Sequence, residues 1–282
     1  MTAAQAAAVD RGPGLAFGRT TLGDPALTGE DDRRRVLELI LRMDPVVMQV
    51  LKTARRLTLP DWRLASGAIY QTVWNALTRR PAGYGIKDLD LIYFDGDTSY
   101  EAEDRVITRA RPLFAGLPAP LEIRNQARVH LWFREKHGTA YPRLPCTDAA
   151  LLNYAARTHA VAVRLEADGR LSIAAPFGLA DIFAMRLVPN PVLDNAATYM
   201  EKAVRMKAAW PEIEIVPWPA AAGDATPWPA AAGDATPGPV APKVRGSGMA
   251  TPSGEAAAPH SAASRKRDWM TLSTSPRSEL PR

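Results

Sequence analysis

One cysteine, Cys146, is all that this chain of 282 residues contains. A single thiol excludes an internal disulfide framework and any zinc site built on cysteines. Histidine is scarce too, with four in all, and none stands at metal-ligand spacing to His130. No apolar run approaches the roughly 18 residues that a membrane-spanning helix needs, so no membrane partner is expected. The N-terminus, MTAAQAAAVDRGPGLAFGR, lacks a cationic start followed by a sustained apolar core, so no secretory signal is expected. A reducing, cytoplasmic setting fits these absences. Nor is one sign of charge in large excess: 35 Lys and Arg face 30 Asp and Glu, a formal +5. That balance permits a polyanionic or nucleotide partner without demanding one. A Walker-type phosphate loop, a Ser-His-Asp order and an RNP aromatic pair are all missing.

What is present divides unevenly along the chain. Residues 217–282 hold 11 of the 25 prolines, and the decapeptide WPAAAGDATP at 218–227 recurs unchanged at 228–237. Two copies of so short a unit make a duplicated linker rather than a solenoid, and Pro, Ala, Gly and Ser offer little surface to bury. The expected organisation is a flexible N-terminus at 1–28, one domain at 29–216 and a disordered Pro/Ala-rich tail at 217–282.

Within that domain, Val36, Leu39, Ile40 and Met43 mark one face of a helix over 31–43. Asp44-Pro45 reads as an N-cap followed by Pro in the first helical turn. After Gly67, the spacing of Ile69, Val73, Trp74 and Leu77 predicts another helix. Ile86–Phe94 predicts a strand, and Thr98 with Glu101 three residues on resembles a capping box for the helix that follows. LEIR at 121–124 alternates as a strand, and Thr147 caps a short helix. In AVAVRLEADGRLSI, a loop of Ala167, Asp168 and Gly169 pairs Leu165 with Leu171 and Val163 with Ile173, gathering the apolar residues on one face. Helices over FGLADIFAMRL and NAATYMEKAVRMKAAW close the domain. The expected fold class is α/β (α+β), a mixed sheet flanked by helices.

Asp88 and Asp90 stand two apart in the predicted strand, so they point the same way, roughly 7 Å apart. Asp-x-Asp alone is weak evidence, since it occurs twice here, at 88–90 and 95–97; the second is expected in a turn. A third carboxylate, Glu122, lies on the next predicted strand between apolar neighbours. If the two strands are adjacent, three acids converge, a grouping suited to Mg²⁺ or Mn²⁺.

The order ASGAIYQTVWNALTRR, then KDLDLIYFD, then LEIRNQ resembles the DNA polymerase beta-like nucleotidyltransferase superfamily. The segments DLDLIYFD, EIRNQARVHLWF, APFGLADIF and VPNP are similar to those of an uncharacterised bacterial group within it. The resemblance implies a nucleotidyltransferase-like fold. It also implies transfer of a nucleoside monophosphate from an NTP to an unknown hydroxyl acceptor (small molecule, protein or RNA), with release of pyrophosphate. Asp88 and Asp90 would then bind the catalytic metals, and Glu122 would complete the site and assist deprotonation of the acceptor. Gly67 would open the turn near the triphosphate. The wider pattern has Gly-Ser or Gly-Gly where this chain has Gly67-Ala68, so Ser66 is expected to substitute for the missing hydroxyl. Lys87, Arg124 and Arg128 are candidate triphosphate clamps. Asn125, Gln126 and His130 are expected to serve the fold. The alternative reading is a nucleotidyltransferase-like fold with little catalysis, kept as a nucleotide- or nucleic-acid-binding module.

Overall fold

Chain packing begins earlier than residue 29. In the computed structural model, which describes residues 18–219, helix α1 (Arg19–Gly23) buries Leu22 in the core. The Nε of buried Arg33 donates to the Leu22 carbonyl at 2.6 Å, tying α1 to the next helix. The expected tail lies outside the described residues, apart from 217–219.

Helix α2 (Glu30–Met43) turns a different face inward from the one its spacing suggested. Val36, Leu37 and Leu41 are buried and Ile40 packs against them, whereas Leu39 and Met43 are largely exposed. Arg33, Leu37 and Leu41 are four residues apart, so the stripe centres on them once Arg33 finds its carbonyl. Asp44 caps α3 (Pro45–Arg56) as expected, its Oδ1 accepting from the amides of Val46 and Val47 at 2.9 and 3.0 Å.

Strand β1 (Arg63–Ala65) leads into α4 (Gly67–Thr78), then β2 (Leu89–Tyr93) and α5 (Tyr100–Ala110). The cap of α5 is Ser99, one residue later than expected: its Oγ accepts from Ala102 N at 3.3 Å. Asp95 and Asp97 sit in the preceding turn, accepting backbone amides two residues on. Strand β3 (Leu121–Asn125) and helix α6 (Val129–His137) follow. The segment expected as a short helix after Thr147 is instead two 3₁₀ turns, Asp148–Asn153 and Arg157–His159. The hairpin of β4 (Ala162–Leu165) and β5 (Leu171–Ala174) takes the expected register, Val163 opposite Ile173 and Leu165 opposite Leu171. Its turn glycine, Gly169, has φ +86°. The helix expected at 177–187 shrinks to α7 (Ala180–Phe183), ended by Met185 at φ +55° ahead of β6 (Arg186–Leu187). Helix α8 (Ala196–Ala209) and β7 (Glu214–Ile215) complete the described chain.

The five-stranded sheet has the order β3-β2-β1-β4-β5. Within it, β2 and β3 run parallel and the other pairs are antiparallel. Strand alternation gives the sheet two unlike faces. Leu64, Leu89, Leu91, Leu121, Ile123 and Val163 belong to the large core shared with the helices. The opposite face carries Arg63, Asp90, Glu122 and Arg124, as the registers Arg63–Ile92, Ala65–Asp90 and Asp90–Glu122 require. That polar face is covered in part by a small cluster of Ala65, Ile92, Leu151, Ala160 and Ala162, with Tyr154 packed against it. No described helix is long and apolar enough to cross a membrane.

Asn190 holds this cover in place. Its buried Nδ2 donates to the carbonyls of Leu152 and Tyr154 at 2.8 and 2.9 Å. Asn190→Ala leaves both carbonyls without these partners and is expected to lower stability by about 2 kcal/mol, read as an earlier urea midpoint at unchanged m.

Candidate functional site

The carboxylates are brought together by pairing. Parallel pairing sets Asp90 beside Glu122, with neighbouring strands roughly 4.8 Å apart. Asp88 lies one residue ahead of β2. Antiparallel pairing sets Ala65 opposite Asp90, so the chain leaving β1 runs toward the Asp88 end of β2 as α4 begins.

That helix start is tightly built. Ser66 holds φ 55° and ψ −117°, a conformation unusual for any residue but Gly. It is pinned there by its amide, which donates to Val161 O at 2.8 Å, and by its carbonyl, which accepts from Ile69 and Tyr70. Its own hydroxyl makes no hydrogen bond among the described residues. A Cβ on Gly67 would stand 3.3 Å from Gln71 Nε2. At this buried helix start the amides of Gly67 and Ala68 make no hydrogen bond among the described residues, whereas those of Ile69 and Tyr70 donate to Ser66 O.

Electrostatics single out Asp90. Burial, with the nearby Asp88 and Glu122 charges adding to it, pushes its carboxyl up to about 7, while Lys202 and Arg124 pull the other way. Part of the residue remains exposed, yet burial is still the largest effect on the carboxyl. Two negative groups crowd a third that is already poorly hydrated, which favours a proton or a cation at that spot. The three acids do not close on one point, however. Among the described residues no three His, Cys, Asp or Glu side chains gather closely enough to hold a metal by themselves. Glu122 Oε2 instead lies 3.8 Å from Arg124 Nη2. The donor set still fits Mg²⁺, which is commonly held by one or two carboxylates together with water and substrate phosphates.

The expected cations are placed unequally. Lys87 is exposed, with no hydrogen bond or ion pair among the described residues. Arg124 is half-buried and donates to Ile123 O at 3.0 Å while facing Glu122. Arg128 is engaged away from the acids: it pairs with Glu103, donates to Thr98 O at 2.9 Å and lies over the Tyr100 ring. Asn125 and Gln126 serve the fold, as expected. Asn125 Oδ1 accepts from the amides of Asp95 and Ala127, and its Nδ2 donates to Asp95 O.

Lys202 and Arg205 on α8 were not anticipated. Lys202 acts on Asp90 and His159, and Arg205 on Tyr70 and His159, yet neither makes a hydrogen bond or ion pair among the described residues. The available signal was their i,i+3 spacing beside the buried stripe Tyr199, Ala203 and Met206. Beneath them lies a buried polar layer. Tyr70 stacks on His159 at 4.8 Å, accepts from Gln71 Nε2 at 2.9 Å and donates to Met206 Sδ at 3.2 Å. Burial, then Lys202 and Arg205, hold His159 well below its ordinary value and therefore neutral. Lys202→Ala is expected to move the Asp90 titration further upward, visible by carboxyl NMR against an unchanged Asp97 signal.

The chain is similar to known proteins in sequence and in fold. A family model described as Nucleotidyltransferase matches residues 52–215, from the end of α3 through β7. A solved structure, an NMR structure described as revealing a CCA-adding enzyme head domain, is similar with a TM-score of 0.54 and 25% identity. The match covers 65% of this chain and 96% of that one. Among curated proteins, none matches.

Proposed function

The chain belongs to this family of nucleotidyltransferases, and from that premise we propose that it moves a nucleoside monophosphate from an NTP to a hydroxyl acceptor, releasing pyrophosphate. The wider DNA polymerase beta-like kinship, a divalent metal and a cytoplasmic setting belong to the same proposal. The observation that carries it is the pairing of Asp90 with Glu122 beside Asp88, near the start of helix α4.

Asp88 and Asp90 would hold Mg²⁺ or Mn²⁺, which when bound neutralises developing phosphate charge. The chain's own groups do the rest. The Ser66 hydroxyl and the Gly67 and Ala68 N–H groups, without partners among the described residues, would meet phosphate oxygens, an arrangement suited to anions. Lys202, Arg205 and Lys87, unpaired among the described residues, are available to the triphosphate, with Arg124 poised beside Glu122. Arg128, held by Glu103, contributes indirectly by fixing the start of α6. Attack of the acceptor oxygen on the α-phosphorus breaks the bond to the bridging oxygen, and pyrophosphate departs. The acceptor's proton passes to the Glu122 carboxylate.

Ionisation of Asp90 is a precondition. Binding of Mg²⁺ must displace its proton, so affinity is expected to rise by about tenfold per pH unit as pH climbs toward 7 and to level off above it. Titrations of Mg²⁺ at a series of pH values check this.

Transfer itself is tested with α-labelled and γ-labelled NTPs offered with Mg²⁺ to RNA, protein and small-molecule fractions. The α-label is expected to become attached to acceptor and the γ-label to leave in pyrophosphate. Transfer of the γ-label would replace nucleotidyl by phosphoryl transfer. NTP binding without transfer of either label would favour the binding-module reading.

A further inference from the structure

We propose that Phe133, His137 and Tyr141 form a stacking platform for the terminal base of a single-stranded nucleic acid, and that this nucleic acid is the hydroxyl acceptor. The proposal rests on the nucleotidyltransferase reading of the neighbouring carboxylates. Phe133 lies 4.5 Å from His137 and 4.6 Å from Tyr141, ring centre to ring centre. These rings are not core: His137 is exposed, Phe133 and Tyr141 are half-buried, and Leu131 beside them is 56% exposed. Aromatic groups left at a surface beside a charged site present flat faces on which a base of any identity can stack.

Thr139 Oγ1, between His137 and Tyr141, donates to Asp194 O at 3.0 Å just ahead of α8, which ties the cluster to the helix that carries Lys202 and Arg205. Lys202 acts on both Asp90 and His137. Tyr154 packs against the cluster of Ala65 and Ile92 on the Asp90 face of the sheet, and both Asp90 and Tyr141 act on it. A base on the platform would therefore bring its own ribose hydroxyls toward Glu122.

Charge decides for a polymer over a small molecule. From Val129 to Arg143 the chain carries Arg134, Lys136 and Arg143 against the single acid Glu135. All three cations are exposed and make no ion pair among the described residues; Lys136 lies over the Trp132 ring at 5.6 Å. Unpaired cations in this number around the rings suit the backbone phosphates of several nucleotides better than a single small acceptor.

The test is fluorescence anisotropy of a short labelled single-stranded oligoribonucleotide titrated with the full chain, without NTP. Wild type is expected to bind, with affinity falling as salt rises. His137→Ala, Phe133→Ala and Tyr141→Ala are each expected to weaken binding by about fivefold or more, while Tyr141→Phe stays near wild type. Arg134→Ala is expected to reduce the salt slope by about 1. His137 is exposed, so its variant keeps the test decisive if truncating Tyr141 disturbs folding. Absence of oligonucleotide binding, or equal binding by folded ring variants, would overturn the proposal. So would ring variants that lose NTP rather than oligonucleotide, since the platform would then hold the incoming base. Asp90→Asn is expected to bind oligonucleotide at least as tightly as wild type. Failure of the carboxylate reading would therefore show in NTP binding alone.

Discussion

Asp90→Asn is expected to lower nucleotidyl transfer by on the order of 10³-fold while making the ligand-free protein more stable above pH 7. Both effects have one cause. The native carboxyl is raised from 3.8 to about 7, by burial first and then by Asp88 and Glu122. Below the unfolded value both states hold the proton and stability is unaffected. Between about 4 and 7 the unfolded chain ionises while the native one does not, so stability falls as pH rises through this window. Above 7 the loss is complete and constant. A carboxyl raised that far costs the folded state about 4 kcal/mol, which partial exposure reduces to about 2 kcal/mol. The neutral amide removes that loss and, with it, the charge that a metal needs. Thermal melts at pH 5 and 8 check the sign: the variant's advantage is expected to be larger at the higher pH. Label transfer measured beside them checks the activity.

Gly85→Ala is expected to be strongly damaging for so small a substitution. Gly85 holds φ +70°, and a Cβ there would lie 2.4 Å from Cη2 of Trp210. Trp210 cannot retreat: it is fully buried, its Nε1 donates to Asn75 Oδ1 at 3.1 Å, and Trp74 packs edge-on at 5.4 Å. Left-handed strain of about 1 kcal/mol adds to overpacking of about 2 kcal/mol. The melting temperature is expected to fall by about 10 °C. Lys87 and Asp88 lie two and three residues on, so NTP affinity is expected to drop as well. Gly83→Ala is the control, since Gly83 has φ +77° with nothing within 4 Å of its Cβ position. It should lose only the smaller backbone contribution. Differential scanning calorimetry of the two variants separates strain from collision.

The strand carrying Asp90, the hairpin register at Val163–Ile173 and the Asp44 cap were legible because each rests on a local signal: period-two alternation, apolar pairing or an Asp-Pro step. Strand β1 was not. Three residues are too few to show a period, and Arg63–Ala65 is a strand because β2 and β4 flank it. The inward face of α2 shifted because Arg33, a charged residue, is buried by a bond to a helix that lay outside the expected domain. Asp88, Asp90 and Glu122 could be nominated from the sequence, and pairing places the latter two side by side. They do not close into a three-acid set, and Glu122 lies beside Arg124, a neighbour two residues along the same strand face. Lys202 and Arg205 were hidden because helix α8 reaches the site only in three dimensions.

The central claim is that Asp88 and Asp90, with Glu122 alongside, form the site of a metal-bound NTP. Calorimetric titration of each NTP with Mg²⁺, on wild type and on Asp90→Asn, tests it most directly. The expected result is Mg²⁺-dependent binding to the wild type that is lost in the folded variant. Binding that survives Asp90→Asn unchanged, or that needs no divalent ion, would contradict it.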